Sequence, residues 1–149
     1  MLYDNDLITV VIPSLGAPHL TKTLNSLLSI GLIYKVIIVL PPGTEFNYGS
    51  DKVKVINSNE SGQVAQRAFG IKIVSTKFLL LLDDDISVSS DVIFNMYNFC
   101  AINENAAVAP ILCDSEHNYL VLKKYHGIRD FCTVTYLDYE KVGASTALL

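Results

Sequence analysis

Basic residues are few in this chain of 149 residues, which carries a formal net charge of −4. Two of them are adjacent only at Lys123 and Lys124. A protein that binds nucleic acid needs a basic face that neutralises phosphates, and the sequence contains no cluster that could form one. We therefore expect no nucleic-acid partner.

Cysteines are also few, at Cys100, Cys113 and Cys132, and no two of them form a C-x-x-C pair. An odd number of widely spaced cysteines predicts buried, reduced thiols rather than disulfides or zinc ligands. The first residues lack the basic region and cleavage site of a signal peptide. We therefore expect a cytoplasmic protein, with a peripheral position at the inner face of the membrane left open.

Long apolar runs are absent as well. A helix that spans a membrane needs about 20 consecutive apolar residues, whereas the apolar run Phe78–Leu82 contains five. Half of all residues are nevertheless hydrophobic, 17% are charged and the mean hydropathy is +0.36. These values predict a single domain over residues 1–149 that contains a sheet buried on both faces.

Apolar, β-rich runs alternate with helical patterns, which is typical of a parallel sheet covered by helices. The predicted strands are Leu7–Ile12, Val36–Leu40, Val53–Ile56, Phe78–Leu82 and Ala107–Leu112, with weaker β-like pieces near Tyr119–Leu122 and Phe131–Leu137. The chain stops at Leu149 inside a further apolar run, so we expect a truncated C-terminus. The predicted fold class is α/β with a mostly parallel sheet.

Two helices are predicted before the fourth strand. The first follows from leucines at helical spacing between Leu20 and Leu28. The second extends from Gly62 to about Ser75, with Ser61 as its N-cap. The apolar face of this second helix is predicted to contain Val64, Ala68 and Ile71.

A third helix is predicted after the fourth strand. Ser89 or Ser90 can cap it, and Asp91 is favourably placed in its first turn. Its predicted inward stripe contains Ile93, Met96, Tyr97 and Cys100.

Three consecutive carboxylates, Asp83, Asp84 and Asp85, follow the most apolar predicted strand. Ligands of open parallel sheets bind beyond the carboxyl ends of the strands. Two unit charges about 4 Å apart near a protein surface repel by about 4 kcal/mol, so a bound cation would offset the repulsion. Oxygen ligands suit Mg²⁺ or Mn²⁺. The cluster therefore predicts a metal site, and a solvated acidic turn is the alternative.

The chain resembles family 2 glycosyltransferases, which have the Rossmann-like GT-A fold. The resemblance is carried by four segments in the family's order. They are the opening strand and loop Ile8–Ser14, the G-x-x-x-x-R-x-x-G pattern at Gly62–Gly70, the DXD-like Leu81–Asp85, and the late strand Val142–Leu149.

The resemblance implies a site residue by residue. Asp83 would contact the ribose of a nucleotide sugar, and Asp85, with Asp83, would ligate Mn²⁺ or Mg²⁺. Asp84 belongs to the same substrate-binding motif. Arg67 would lie near the phosphates or order the acidic loop, with a loosely paired surface arginine as the alternative. Pro13 and Ser14 would form part of the pocket for the base through their backbone.

The sequence departs from the family's pattern at two places. Leu40–Gly43 lies where the family commonly has an aspartate that reads the base, and Ala68 replaces a common asparagine. The acidic motif that supplies the family's general base is also missing. The late carboxylates are Asp114, Glu116, Asp130, Asp138 and Glu140, and none lies in such a motif.

The implied reaction is metal-dependent transfer of a sugar, usually with inversion, from a nucleotide diphosphate sugar such as a UDP-sugar. The acceptor would be a saccharide or a lipid-linked hydroxyl. Because no base is identified, we expect weak binding of metal and nucleotide, with poor turnover or none. The alternatives are an inactive or truncated nucleotide-binding relative, and a haloacid-dehalogenase-like phosphatase that uses Asp83 and Asp85. A truncated sheet would expose an apolar edge, so a homo-oligomer is also expected.

Overall fold

In the part of the chain that the structure describes, a five-stranded sheet carries helices on both faces. The computed structural model describes residues 6–103 and 106–109, and the backbone of residues 146–148. In chain order the strands are β1 (Ile8–Pro13), β2 (Ile33–Leu40), β3 (Val53–Asn57), β4 (Phe78–Leu82) and β5 (Thr146–Leu148). Their order across the sheet is β3-β2-β1-β4-β5. The first four strands are parallel and β5 is antiparallel to β4, which confirms the predicted α/β class.

The two central strands are buried along their whole length. Every residue of β1 and of β4 is buried, so neither strand shows the alternation of a half-exposed sheet. Continuous apolar strands are expected where helices cover both faces of a parallel sheet. The high mean hydropathy of the chain therefore reflects a sheet with two covered faces. None of the described helices is long and apolar enough to cross a membrane.

The helices are α1 (Leu20–Leu28), α2 (Gln63–Ile71) and α3 (Ser90–Ile102). Helices α1 and α3 pack on one face of the sheet through Leu20, Leu24, Leu27, Ile93, Met96 and Cys100. Helix α2 covers the other face, where Phe69 packs against a cluster that contains Val11 and Val39. The predicted stripes of α1 and α3 are confirmed, since Tyr97 is also partly buried with its ring 4.9 Å from that of Phe78.

The predicted apolar face of α2 is wrong. Val64 and Ile71 are 80% and 39% exposed, and Ala68 is exposed as well. Gln66 and Gly70 face the sheet instead. The reason is close packing, because a Cβ added to Gly70 would lie 2.5 Å from Val11 Cγ1 and 2.9 Å from Val39 Cγ2. Periodicity of apolar residues does not detect a helix that is seated through a glycine and an amide.

The predicted limits of α2 are also wrong. The N-cap is Gly62 rather than Ser61, and its φ of +117° favours glycine. The helix ends at Ile71 rather than near Ser75. The predicted N-cap of α3 is confirmed, because Ser89 Oγ accepts a hydrogen bond from the Val92 N–H.

Other predicted boundaries are close to those observed. β1 is shifted by one position, to Ile8–Pro13, and β2 begins at Ile33 instead of Val36. The antiparallel β5 lies in the apolar run predicted at the C-terminus. Beyond Ala109, the predicted fifth strand lies outside the described residues, as do the β-like pieces near Tyr119–Leu122 and Phe131–Leu137.

The close approach of α2 to the sheet gives a first prediction. Gly70→Ala should lower the free energy of unfolding by about 1–3 kcal/mol, because two valine side chains must shift to accept the methyl group. This loss should exceed the gain of up to about 1 kcal/mol that alanine provides in a helix. Urea denaturation measures the difference.

Gly31→Ala is the matched control, because no atom lies within 4 Å of the added Cβ at this position. The control should change stability by less than about 0.5 kcal/mol. Equal effects of the two substitutions would show that the packing between α2 and the sheet is not tight.

Candidate active site

The candidate site lies where β1 and β4 end side by side. In this strand order the strand that follows β1 in the chain, β2, lies on one flank of the β1–β4 pair, and β5, which follows β4, lies on the other flank. Such a reversal opens a crevice at the carboxyl ends of β1 and β4. Ser14 directly follows β1, and Asp83 directly follows β4. Ligands of doubly wound sheets bind at such a switch point. The topology therefore brings together residues that are about 70 positions apart in the sequence.

Asp83 is held by the first two turns of α2. Arg67 Nη2 forms an ion pair with Asp83 Oδ1, and Gln63 Nε2 donates to the same oxygen at 3.0 Å. The side chains of Asp83 and Arg67 are only 19% and 18% exposed. Among the described residues no hydrogen bond reaches Asp83 Oδ2.

The protonation of Asp83 reflects opposing effects. Burial raises the pKa of Asp83 above its ordinary value of 3.8, and the nearby charges of Asp85 and Asp84 raise it further. The charge and the hydrogen bond of Arg67 lower this pKa but do not cancel the increase. The Arg67 guanidinium therefore does not fully offset the effect of burial and, after it, of the two neighbouring carboxylates on the pKa of Asp83.

Asp84 is anchored to the β1–α1 segment. Ser14 Oγ donates a short hydrogen bond to Asp84 Oδ2, and His19 Nε2 lies 3.3 Å from Asp84 Oδ1. The hydroxyl of the buried Thr23 donates to the backbone carbonyl of Asp84 at 2.8 Å. These contacts fix the acidic segment against the N-terminal half of α1.

Asp85 differs from its two neighbours. The backbone turns after Asp83, with the Ile86 N–H 3.4 Å from the Asp83 carbonyl, so the three side chains do not alternate as they would along an extended strand. Asp85 is exposed, and within the described part of the chain no hydrogen bond or ion pair engages its carboxylate. It is the carboxylate of the three that is most open to an incoming ligand.

A buried amide, Gln66, connects α2 to the same edge of the sheet. Its Nε2 donates to the carbonyl of Ser14 at 2.9 Å and to that of Val39 at 2.6 Å. Gln66 is 2% exposed, so it cannot touch a ligand in the crevice. Sequence reasoning missed this residue. Its spacing of four residues from Gly70 was the available signal, since the two residues share one helical face.

The loop after β2 is held by an amide side chain. The side-chain amide of Asn57 donates to the carbonyls of Pro41 and Thr44 at 2.8 and 2.9 Å. The loop Leu40–Gly43 is therefore tied to the end of β3 by an amide.

Comparison with known proteins identifies the family. The sequence model described as Glycosyl transferase family 2 matches residues 44–141. This chain belongs to glycosyl transferase family 2. The match confirms the resemblance drawn from the sequence motifs and leaves the phosphatase alternative without support. No curated protein matches the chain.

Solved structures of a glycosyltransferase share the fold of this family 2 chain. The structure of S. aureus TarS 1–349 superposes with a TM-score of 0.58 at 15% identity, over 83% of this chain and 38% of that structure. The TarS complex with UDP-GlcNAc gives a TM-score of 0.58 at 16% identity, over 75% and 36% of the two chains. The complex with UDP gives 0.60 at 15% identity, over 75% and 37%. The chain thus spans less than two-fifths of these TarS structures, and the likeness shows the GT-A fold.

The predicted site residues of this family 2 glycosyltransferase chain converge in part. Ser14, Asp84, Arg67 and Asp83 are linked by direct contacts around one crevice, as described above. Pro13 is buried at the end of β1. The backbone N–H of Ser14 donates to the Val39 carbonyl at 3.1 Å. The roles assigned to these residues toward a nucleotide stay predictions.

The acidic residues could supply part of the ligand shell of a divalent cation. The described residues contain no group of three His, Cys, Asp or Glu side chains that could hold a metal by themselves. Asp85 and Asp83 Oδ2 remain available as oxygen ligands. Mg²⁺ and Mn²⁺ commonly use one or two carboxylates and complete their shell with phosphate oxygens and water. The donor set therefore fits a cation that arrives with a diphosphate.

The raised pKa of Asp83 gives a prediction for stability in EDTA. Well below pH 3.8 the carboxyl is protonated in both states, and burial has no charge to penalise. As pH rises toward the folded-state pKa, the unfolded chain loses this proton first, so stability falls. The stability of the wild type relative to Asp83→Asn should therefore decrease with rising pH. Urea denaturation between about pH 3 and 6 measures it, and an increase would mean that Arg67 outweighs burial.

The buried amide of Gln66 gives a second prediction for this site. Gln66→Met keeps the length of the side chain but removes both donors, and should cost about 1–3 kcal/mol of unfolding free energy. Asn95→Met on the exposed side of α3 is the control and should cost less than about 0.5 kcal/mol. Equal losses would contradict a structural role for the Gln66 amide.

Proposed function

We propose that this chain is the nucleotide-sugar-binding part of a glycosyltransferase. The enzyme transfers a sugar from a nucleoside diphosphate sugar to an acceptor hydroxyl of a saccharide or a lipid-linked molecule, with inversion. One observation carries the proposal. Side chains from the ends of β1 and β4 and from the start of α2 meet at the switch point of a family 2 sheet, with an exposed carboxylate beside a buried one.

A Mn²⁺ or Mg²⁺ ion is the proposed cofactor, with Asp85 and Asp83 as its protein ligands. The cation would stabilise the charge that develops on the departing diphosphate. Asp83 is partly desolvated, and among the described residues its Oδ2 accepts no hydrogen bond, which favours its role as the inner carboxylate. Asp85 is exposed and unengaged among the described side chains, which favours its role as the first ligand met by the cation.

The remaining residues divide into those that face the ligand and those that support them. Arg67 carries the positive charge nearest to Asp83 and is proposed to contact the phosphates. Ser14 and Pro13 are proposed to border the base, since they end the strand that adjoins the crevice. Asp84 is proposed to act mainly in positioning, because Ser14 and His19 already contact both of its oxygens.

A UDP-sugar is the proposed donor, because the similar TarS structures were obtained with UDP-GlcNAc and UDP. The general base has no candidate among the described residues near the crevice. The late carboxylates Asp114, Glu116, Asp130, Asp138 and Glu140 lie outside the described residues. We therefore keep the prediction that this chain binds nucleotide but transfers sugar poorly, and a nucleotide-binding relative without catalysis is the second candidate.

We also propose a cytoplasmic location and self-association of the chain. Light scattering tests the self-association. The edge strand β3 bears an exposed lysine, Lys54, which opposes simple pairing of strand edges. We therefore expect any dimer to form through another surface.

Calorimetric titration with UDP in the presence and absence of Mn²⁺ tests the proposed function. Wild type should bind UDP more tightly with Mn²⁺ than in EDTA. Asp85→Asn should weaken binding with Mn²⁺ by about tenfold or more, because the loss of one charge–charge contact exceeds the ~1.4 kcal/mol of a tenfold change. Binding in EDTA should change little.

Asp51→Asn is the control, because this exposed aspartate precedes the amino end of β3, whereas the crevice lies at the carboxyl ends of β1 and β4. It should bind UDP and Mn²⁺ like wild type. The proposal is wrong if UDP does not bind wild type in the presence of Mn²⁺ or of Mg²⁺. The metal assignment is wrong if Asp85→Asn retains the full effect of Mn²⁺. A panel of GDP, CDP and ADP then defines the base.

A further inference from the structure

Arg67 makes an incomplete contact with Asp83. An arginine and a carboxylate frequently pair through two parallel hydrogen bonds. Here a single oxygen, Asp83 Oδ1, accepts from both Arg67 Nη2 and Gln63 Nε2. The Nε atom of Arg67 is buried and has no hydrogen-bond partner among the described residues. The guanidinium therefore has an unused donor, and Asp83 has an unused acceptor oxygen.

This geometry bears on how a cation reaches Asp83. A divalent cation bound by Asp83 and Asp85 would lie beside the guanidinium of Arg67, and the like charges would repel in a partly desolvated crevice. A diphosphate removes that conflict, because its oxygens can accept from the guanidinium and coordinate the cation at the same time.

We propose that Arg67, paired with Asp83 Oδ1 in the nucleotide-free protein, repels a cation at the free Oδ2 and thereby makes cation binding depend on the diphosphate. The inference rests on the proposed function, since it assumes that Asp83 and Asp85 are the cation ligands. Arg67 then acts as a competitor of the cation before the nucleotide binds and as a phosphate ligand afterwards. Cation and nucleotide are therefore coupled, and the coupling is reciprocal.

The test measures Mn²⁺ alone by the electron paramagnetic resonance signal of the free ion, and then Mn²⁺ with UDP. Mn²⁺ bound by UDP in solution is subtracted. Wild type should bind Mn²⁺ weakly without UDP and much more tightly with it. Arg67→Gln should bind Mn²⁺ alone about tenfold more tightly, because it removes the competing charge. The same variant should bind UDP more weakly, so the coupling should shrink by about tenfold or more.

Two variants control for simpler explanations. Lys72→Gln removes the same charge from the exposed C-cap of α2, away from the acidic turn, and should leave Mn²⁺ binding unchanged. Arg67→Lys retains the charge and should bind Mn²⁺ alone no more tightly than wild type. Circular dichroism and thermal unfolding establish that each variant is folded.

Specific outcomes overturn the inference. It is wrong if folded Arg67→Gln binds Mn²⁺ alone no more tightly than wild type, or if Lys72→Gln gives the same increase. It is also wrong if UDP and Mn²⁺ bind to wild type without coupling, which can be measured even if Arg67→Gln does not fold. If wild type binds no UDP with Mn²⁺, the proposed function itself fails, so the two failures are distinguishable.

Discussion

The burial of the parallel sheet on both faces is the constraint on which the site depends. Helices α1 and α3 cover one face and α2 covers the other, so β1 and β4 have no exposed side for a ligand. Polar residues can meet solvent only where these strands end. The crevice of an open parallel sheet lies at those carboxyl ends, and there the chain places its three consecutive aspartates.

The three carboxylates have different surroundings although they are adjacent in sequence. Asp83 pairs with Arg67, Asp84 is anchored by Ser14 and His19, and Asp85 is exposed. The turn after β4 separates the three side chains. The partner of Asp83 comes from α2, and the partners of Asp84 come from the segment between β1 and α1. One carboxylate is anchored, one is paired with an arginine and one is open to solvent, so the three are not equivalent toward an incoming ligand.

Helix α2 has two roles that a pattern of apolar residues does not reveal. Gly70 allows the helix to approach Val11 and Val39, and the Gln66 amide joins the ends of β1 and β2. This seating places Gln63 and Arg67, one turn apart, over Asp83. The residues expected to face the core, such as Val64, are exposed as a consequence. The helix is thus oriented by polar and steric contacts at the sheet rather than by its own hydrophobic periodicity.

The sequence by itself determined the fold class, the four parallel strands within a few residues and the acidic end of β4. These features are local, because apolar runs, turn residues and their spacing follow one another along the chain. The order of the motifs from β1 to the acidic segment also indicated the family. Only the tertiary structure decided that Gln66 is buried, that Arg67 pairs with Asp83, and that Ser14 and His19 hold Asp84. These contacts join residues far apart in sequence, and their geometry depends on how closely α2 and α1 approach the sheet.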